Sequence, residues 1–530
     1  MKHFRVVFRP DDREVFIHQG ATLLEAAGQA GLALTTPCGG KGTCGKCLVQ
    51  LLPSGREVRA CQHTVQSDLE VVIPDGSRLY EHRILGDGIH VPAGIKPTIV
   101  GRYRSAGPTP LGLAVDVGTT TVVAKLLDLS HGRCLGTEAM LNPQVRFGDD
   151  VISRIHYAES EANRSEMQRV IIEGLNELID RLCGTVDVGS DAIYEACLVG
   201  NTTMNHILLG FPVQQLGQAP YRAHSVDALD VPPEKLGLKM NPGGNVHTVE
   251  NIAGFVGSDT TAVALATGMD SVSEATLVVD IGTNGELVLA TGGRLYAASC
   301  AAGPALEGAR IRQGSRAAEG AIEAVVIDDG DVDLDVIGGT RPRSICGSGL
   351  IDAVAVLLEL GVADATGRMV GREQAAERCT AAAEDRILEI DGQGAFCLAF
   401  DRQTGEPAVV LTQKDIREFQ LAKGAIGAGI RLLLDKSGIK AGDLHSVLLA
   451  GAFGNYIRPR SAVAVGLLPN VPLDRIHFVG NAAASGAEML LLSEECRARS
   501  AELAGKIEYV ELAHQAEFAD VFAEAMLLCP

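Results

Sequence analysis

Four cysteines stand close together near the N-terminus: Cys38, Cys44, Cys47 and Cys61, within PCGGKGTCGKC and RACQ. A Cys-x5-Cys-x2-Cys run with a fourth cysteine after thirteen more residues lets four thiolates converge on one metal centre. Two chemistries use four thiolates in this way, a two-iron, two-sulfide cluster and a structural zinc ion. Zinc knuckles usually pair two Cys-x2-Cys units, and this chain has a single one, Cys44 to Cys47, so the cluster is the expected occupant. Gly39, Gly40, Gly42 and Gly45 fit the same reading. They let the backbone wrap closely enough for N–H groups to face the sulfides.

A second chemistry is written twice further on. Leu113–Asp116 is an apolar run ending in Asp, followed by Val117-Gly118-Thr119-Thr120-Thr121 and the apolar Val122–Leu127. Leu277–Asp280 repeats the pattern, followed by Ile281-Gly282-Thr283-Asn284-Gly285. Each reads as a β-hairpin with a tight glycine turn. Gly40-x4-Gly45-Lys46 nearly spells a P-loop, but Cys47 replaces the Ser or Thr that binds magnesium, so that reading is set aside.

The elements around these residues suggest a division of the chain. Phe4–Phe8 and Val15–His18 read as strands, Leu23–Ala30 as a helix capped by Thr22, and Leu48–Leu52 as a strand after the cysteine loop. Gly86–Pro110 holds five glycines and four prolines and reads as a linker, either a tether or an irregular packed strand. Beyond it a second phrase also recurs, CLVGNTTMNHILL at Cys197–Leu209 and HFVGNAAASGAEMLLL at His477–Leu492. Two phrases in the same order imply two homologous lobes, the second carrying a large insertion. The expected boundaries are 1–80, a linker 81–110, a first lobe 111–272 and a second lobe 273–530.

Composition narrows the function. The net charge is −20, yet through Tyr80 nine Lys/Arg balance eight Asp/Glu, so the acidity lies in the lobes. This argues against nucleic acid or an anionic membrane as partner. No apolar run spans a bilayer, the opening MKHFRVVFRPDD reads as a strand, and thirteen cysteines fit a reducing compartment, so a cytoplasmic location is expected.

The strand–strand–helix–cysteine-loop order resembles a β-grasp ferredoxin, with the five-residue first gap of the adrenodoxin-like variety. The paired Asp-x-Gly-Thr hairpins resemble the actin–Hsp70–sugar kinase superfamily, a ribonuclease H-like fold. That resemblance implies Asp116 and Asp280 as the catalytic carboxylates for hydrated Mg2+. It implies Gly118, Thr119, Thr120, Gly282, Thr283 and Asn284 on phosphate. Val447–Ala450 followed by Gly451-Ala452-Phe453-Gly454-Asn455 resembles the superfamily's adenosine motif, with Gly451 and Gly454 bordering the nucleotide.

As a whole the chain resembles the reductive activators of corrinoid proteins, on these motifs together with NPQVRFGDDVISRI, SICGSGLIDAV and AGAFGNYI. The resemblance implies an α/β multidomain protein with a 2Fe–2S cluster and ATP. It would return a corrinoid protein of a methyltransferase system from Co(II) to Co(I), fed by an upstream low-potential electron donor. A homodimer is compatible with the sequence and not required by it. The rivals are an ATP-dependent donor to another low-potential metalloenzyme, a ferredoxin-regulated small-molecule kinase and a non-catalytic redox sensor.

Smaller signals complete the expectations. Cys300 and Cys346 could meet in space, although isolated cysteines are by default small buried hydrophobes. Gly347-Ser348-Gly349 could offer amides to phosphate or serve as a packing turn. Asp149 or Asp150 should cap a helix over Val151–Ala158. Lys41 and Lys46 could guide an acidic partner or simply be solvated. Leu421–Leu434, with Gly424, Gly427 and Gly429, should be a helix packed closely on another. The histidines show no metal-binding spacing.

Overall fold

The computed structural model describes residues 2–9, 13–30, 32, 34, 47–74, 95–97, 110–148, 150–308, 310–451 and 457–528. Cys38, Cys44, the glycines and lysines between them and Cys47, Asp149 and Gly454 lie outside the described residues.

In the N-terminal domain β1 (His3–Arg9) and β2 (Arg13–His18) form an antiparallel pair. Thr22 caps α1 (Leu23–Gln29) in a reciprocal capping box with Glu25. The helix buries Leu23, Ala26 and Ala27 in one core with Val6, Phe8 and Ile17. β3 (Leu48–Leu52), β4 (Arg56–Arg59) and β5 (Leu69–Val72) complete a sheet in the order β2-β1-β5-β3-β4, with β1 and β5 parallel. Of the linker, Ile95–Pro97 is described, and there Lys96 pairs with Ser493 as an irregular packed strand would.

The first lobe contains β6 (Leu111–Val117), β7 (Thr121–Asp128), β8 (Arg133–Leu141), α2 (Val151–Tyr157), α3 (Glu161–Val186), β9 (Ile193–Gly200), α4 (Thr202–Leu209), β10 (Leu229–Val231), β11 (Asn245–Thr248) and α5 (Ser258–Ala266). Its sheet runs β10-β11-β9-β6-β7-β8. β6 is an almost wholly buried apolar run, as a central strand covered on both faces must be.

The second lobe opens with β12 (Thr276–Ile281), β13 (Gly285–Thr291) and β14 (Arg294–Cys300). Two small sheets follow, made of β15 (Ala321–Asp328), β16 (Asp331–Val336) and β17 (Ser344–Ile345), then, after α6 (Gly347–Glu359), of β18 (Ile387–Ile390), β19 (Gln393–Phe400) and β20 (Pro407–Thr412). α7 (Gln413–Ser437), β21 (Ser446–Ala450), β22 (Ile476–Gly480), α8 (Ala482–Leu492), β23 (Ile507–Tyr509) and α9 (Phe518–Ala525) finish the chain, with the main sheet ordered β22-β21-β12-β13-β14-β23.

The duplication is therefore real: β8-β7-β6-β9-β11 and β14-β13-β12-β21-β22 share order and strand directions. One alignment drawn from sequence is corrected. The two Val-Gly-Asn phrases end β9 and β22, which are not equivalent, because β9 borders β6 whereas β21 separates β22 from β12. The equivalent of β9 is β21. The phrases recur because both asparagines cap the helix that follows, Asn201 for α4 and Asn481 for α8. The insertion is 301–412, standing where 142–160 connects β8 to α3 in the first lobe.

α8 packs on α5, β6 and β9, so the lobes share an apolar seam that joins Ala114, Val199 and Val256 to Val278, Leu448 and Ala483. Across it Lys125 Nζ lies 3.1 Å from Glu488 Oε1, a buried ion pair. α7 lies flush on the strands beneath it, since a Cβ on Gly429 would stand 2.3 Å from Cys300 Sγ. Among the described residues no helix is long and apolar enough to cross a membrane.

Candidate functional site

The seam brings the ends of β6 and β12 together, and with them the two glycine turns. Asp116 pairs with Val123 and Val117 with Val122, which leaves residues 118–121 as the first turn. Asp280 pairs with Glu286 and Ile281 with Gly285, and Gly282 N donates to Asn284 O at 3.0 Å inside the second turn. Both turns line one cavity of about 440 Å³. Asp116, Gly118, Thr119, Thr120, Asp280, Gly282, Thr283, Asn284 and Gly451 all border it.

The first turn is held from behind. Asn142 Nδ2 donates to Gly118 O at 2.8 Å, Asn142 N to Thr120 O at 2.8 Å, and the fully buried Arg154 Nη2 to Thr119 O at 2.6 Å. The NPQVRFGDDVISRI phrase thus encodes a brace whose carbonyl contacts fix the turn's orientation. Asn201 Nδ2 reaches Thr119 Oγ1 at 2.8 Å and Asn481 Nδ2 reaches Asp116 Oδ2 at 3.1 Å, so both helix-capping asparagines serve the same turn. Across the lobes, Thr120 Oγ1 lies 2.8 Å from Thr283 Oγ1. The two hydroxyls donate to Glu307, at 2.9 Å and 3.1 Å, on the turn Pro304–Glu307.

Carboxylates crowd this cavity. Asp116, Asp259 at the start of α5, Asp280 and Glu286 line it, and among the described residues Arg316 is the cation that does so. Burial, then the neighbouring Asp259 charge, pushes the Asp116 carboxyl up to about 7, against the hydrogen bond from Asn481. Burial, Asp259 and Asp116 push Asp280 up to about 8. Asp259 rises to about 6 through burial, opposed by bonds from Thr260, and Glu286 rises well above the usual range through burial and Asp259. Carboxyls held so close keep their protons until a cation arrives to balance the ionised forms. The oxygens do not gather within 4.8 Å as a group of three, so a hydrated ion, held through water, fits better than a bare one.

Gly451 ends β21 with φ +92°, and a Cβ there would stand 2.6 Å from Asp280 Oδ1 and 2.9 Å from Ile281 O. Only glycine lets this strand end pass so close to the carboxylate. At α6 the Gly-Ser-Gly turn packs closely at one residue and borders the cavity at the other two. Gly347 and Ser348 line the cavity, whereas a Cβ on Gly349 would stand 2.3 Å from Ile322 O. Cys346 borders the cavity beside Ser348, with Sγ 3.3 Å from Ser348 Oγ, while Cys300 is buried beneath α7. Asp150 caps α2.

The cysteine site is seen in half. Cys47 precedes β3 and Cys61 follows β4, and the hairpin brings their sulfurs to 3.3 Å, both buried and unlinked. Gln62 Nε2 approaches Cys61 Sγ at 3.7 Å. Two buried thiols in contact, with an amide donor beside one, fit a pair of ligands on one iron. Sequence reasoning missed Asp259, Glu286, Glu307, Asn142 and Arg154 as cavity or bracing residues. The asparagine and arginine lay inside a phrase already noticed, while nothing in the sequence marked the three carboxylates.

A cysteine-bearing sheet domain joined to a duplicated, two-lobed phosphate-turn fold defines an iron–sulfur protein with an actin-like ATP-binding region. Residues 8–66 match the 2Fe-2S iron-sulfur cluster binding domain, 111–272 the RACo middle region, and 274–530 the C-terminal domain of RACo, the ASKHA domain. The corrinoid activation enzyme RamQ of Eubacterium limosum is 32% identical over 98% of this chain and 98% of its own length. The [Co(II) methylated amine-specific corrinoid protein] reductase of Methanosarcina barkeri is 25% identical over 75% of this chain and 72% of its own. A solved structure of a reductive activator for corrinoid, iron-sulfur protein superposes with a TM-score of 0.75 and 33% identity, over 99% and 98% of the two chains. The chain belongs to the family of reductive activators of corrinoid proteins.

Proposed function

We propose that this protein is an ATP-dependent reductive activator of a corrinoid protein, passing one electron from its 2Fe–2S cluster to return Co(II) to Co(I) in a methyltransferase system. The observation that carries the reading is likeness over nearly the whole chain to a reductive activator, cysteine domain and lobes together. The proposal includes an upstream low-potential electron donor, a cytoplasmic location, a homodimeric state, and the division 1–80, 81–110, 111–272 and 273–530.

When bound, the cluster supplies one-electron storage and Mg-ATP the free energy of phosphoryl transfer. In this reading Cys38, Cys44, Cys47 and Cys61 hold the irons. Asp116 and Asp280 orient the water shell of Mg2+, and their raised proton affinities fall as that charge arrives. Gly118, Thr119, Thr120, Gly282, Thr283 and Asn284 donate to phosphate oxygens from the two lobes, and Gly451 and Gly454 border the adenosine. Thr120 and Thr283 exchange their bonds to Glu307 for bonds to phosphate, which ties nucleotide binding to the fit between lobes. Plant-type clusters lie near about −400 mV, so donation to a lower acceptor is uphill. Each 100 mV of deficit amounts to about 2.3 kcal/mol per electron.

The test is the visible spectrum of a cobalamin-bearing corrinoid protein mixed with this protein, a low-potential reductant and ATP. Co(I) should accumulate with ATP, and not with Asp280→Asn in place of the native chain. Equal Co(I) formation without ATP would refute the coupling.

A further inference from the structure

At the edge of the cavity, the described residues bring together another group of metal-ligand side chains. His3 on β1, Glu323 on β15 and Asp335 on β16 each present a donor atom within 4.8 Å of the others. They come from two domains, since β1 belongs to the cysteine-bearing sheet and β15 and β16 to the 301–412 insertion. A register shift between Ile322 and Ala324 leaves Glu323 as the extra residue of a bulge, with Asp335 paired to Ala324 beside it. Bulges re-aim side chains in this way. His18 is the cross-strand partner of His3 and places Nδ1 3.9 Å from Asp335 Oδ2.

Asp335 is 5% exposed. His3 Nε2 and Asp335 Oδ1 are buried and face each other in ionic contact, yet neither makes a hydrogen bond among the described residues. Buried polar atoms normally find hydrogen-bond partners, and an imidazole and a carboxylate left with only each other keep lone pairs to offer a cation. The other cation at hand, Arg458, is shared, with Nε 3.4 Å from Asp352 Oδ2.

We infer that His3, Glu323 and Asp335 form a binding site for a divalent transition-metal ion that pins the cysteine-bearing domain to the insertion of the second lobe. One imidazole and two carboxylates make a mixed nitrogen and oxygen set suited to zinc and ferrous ions, and two carboxylates balance the ionic charge. Bonds of about 2.0–2.2 Å hold donors roughly 3–4 Å apart, so the His3–Asp335 contact opens by about an ångström to admit the ion. Glu323 also borders the nucleotide cavity, and its backbone O accepts from Ser348 Oγ at 2.9 Å. The pin therefore stands between the domain carrying Cys47 and Cys61 and the phosphate-facing end of α6.

The test uses the full chain with its cluster reconstituted, stripped of loose metal and held in millimolar Mg2+, titrated calorimetrically with zinc while the cluster's visible spectrum is followed. One equivalent should bind, and His3→Ala together with Asp335→Asn or Glu323→Gln should each weaken it by about tenfold or more. Glu323→Gln leaves the cysteine-bearing domain's own sequence untouched, so it decides the matter if His3→Ala loses the cluster spectrum. Absence of zinc binding, or equal affinity in the native chain and these variants, would overturn the inference. So would a loss confined to His3→Ala in a chain that keeps its cluster, because zinc held without Glu323 and Asp335 does not join the two domains.

Discussion

Replacing Asp280 by Asn should stabilise the nucleotide-free protein in a pH-dependent way. Burial, Asp259 and Asp116 raise the folded-state proton affinity of Asp280 to about 8, from about 3.9 in an unfolded chain. A carboxyl raised by folding contributes stability that is whole below about pH 4 and is lost as pH climbs through 8. Four units would amount to about 5–6 kcal/mol at 1.36 kcal/mol per unit. Part of that shift is mutual repulsion also expressed in Asp116 and Asp259, and the wall opens on the cavity, so about 2 kcal/mol is the expected net gain at pH 8.5. Thermal unfolding in EDTA at pH 5.5 and 8.5 reads this out. The variant's advantage should be small at pH 5.5, where less than half of the native penalty has developed, and should grow to a few degrees at pH 8.5, where all of it has. Millimolar Mg2+ should narrow the difference by neutralising the native site. An equal gain at both pH values, or a variant less stable at pH 8.5, would refute the electrostatic reasoning. The same substitution should abolish ATP turnover, since strain stored in an active site is exchanged for function.

Two further outcomes follow from the cavity's geometry. Gly451→Ala forces a Cβ to within 2.6 Å of Asp280 Oδ1 at φ +92°, and should weaken ATP binding by about tenfold or more while destabilising the fold by about 1–2 kcal/mol, read by nucleotide titration and urea unfolding. Glu307→Ala removes the acceptor of both Thr120 and Thr283, and should lower stability by about 1–3 kcal/mol in the nucleotide-free protein, an effect that bound ATP offsets by giving the hydroxyls new partners.

Much of the site was legible as local pattern. The capping box at Thr22 and Glu25, the hairpins after Asp116 and Asp280, and the cap at Asp150 are decided by neighbours in sequence. Their chemistry is short-range, which is why they can be read from a string of residues. The misreading of the second Val-Gly-Asn phrase shows the limit of such patterns. A strand end, an asparagine cap and a helix recur wherever that local device is useful, and local likeness does not say which strand lies beside which.

The sequence by itself determined the types of element, the duplication and the residues of the two glycine turns that line the cavity, because each depends on periodicity or turn chemistry over a few residues. Tertiary structure alone decided that Thr120 meets Thr283 at Glu307, that Asp259 and Glu286 join Asp116 and Asp280, and that His3 meets Glu323 and Asp335. Each meeting includes a residue more than a hundred positions from its partners, as Thr120 is from Thr283 and His3 from Glu323. They arise when domains and lobes pack against one another, and no local periodicity records which polar side chains that packing carries together.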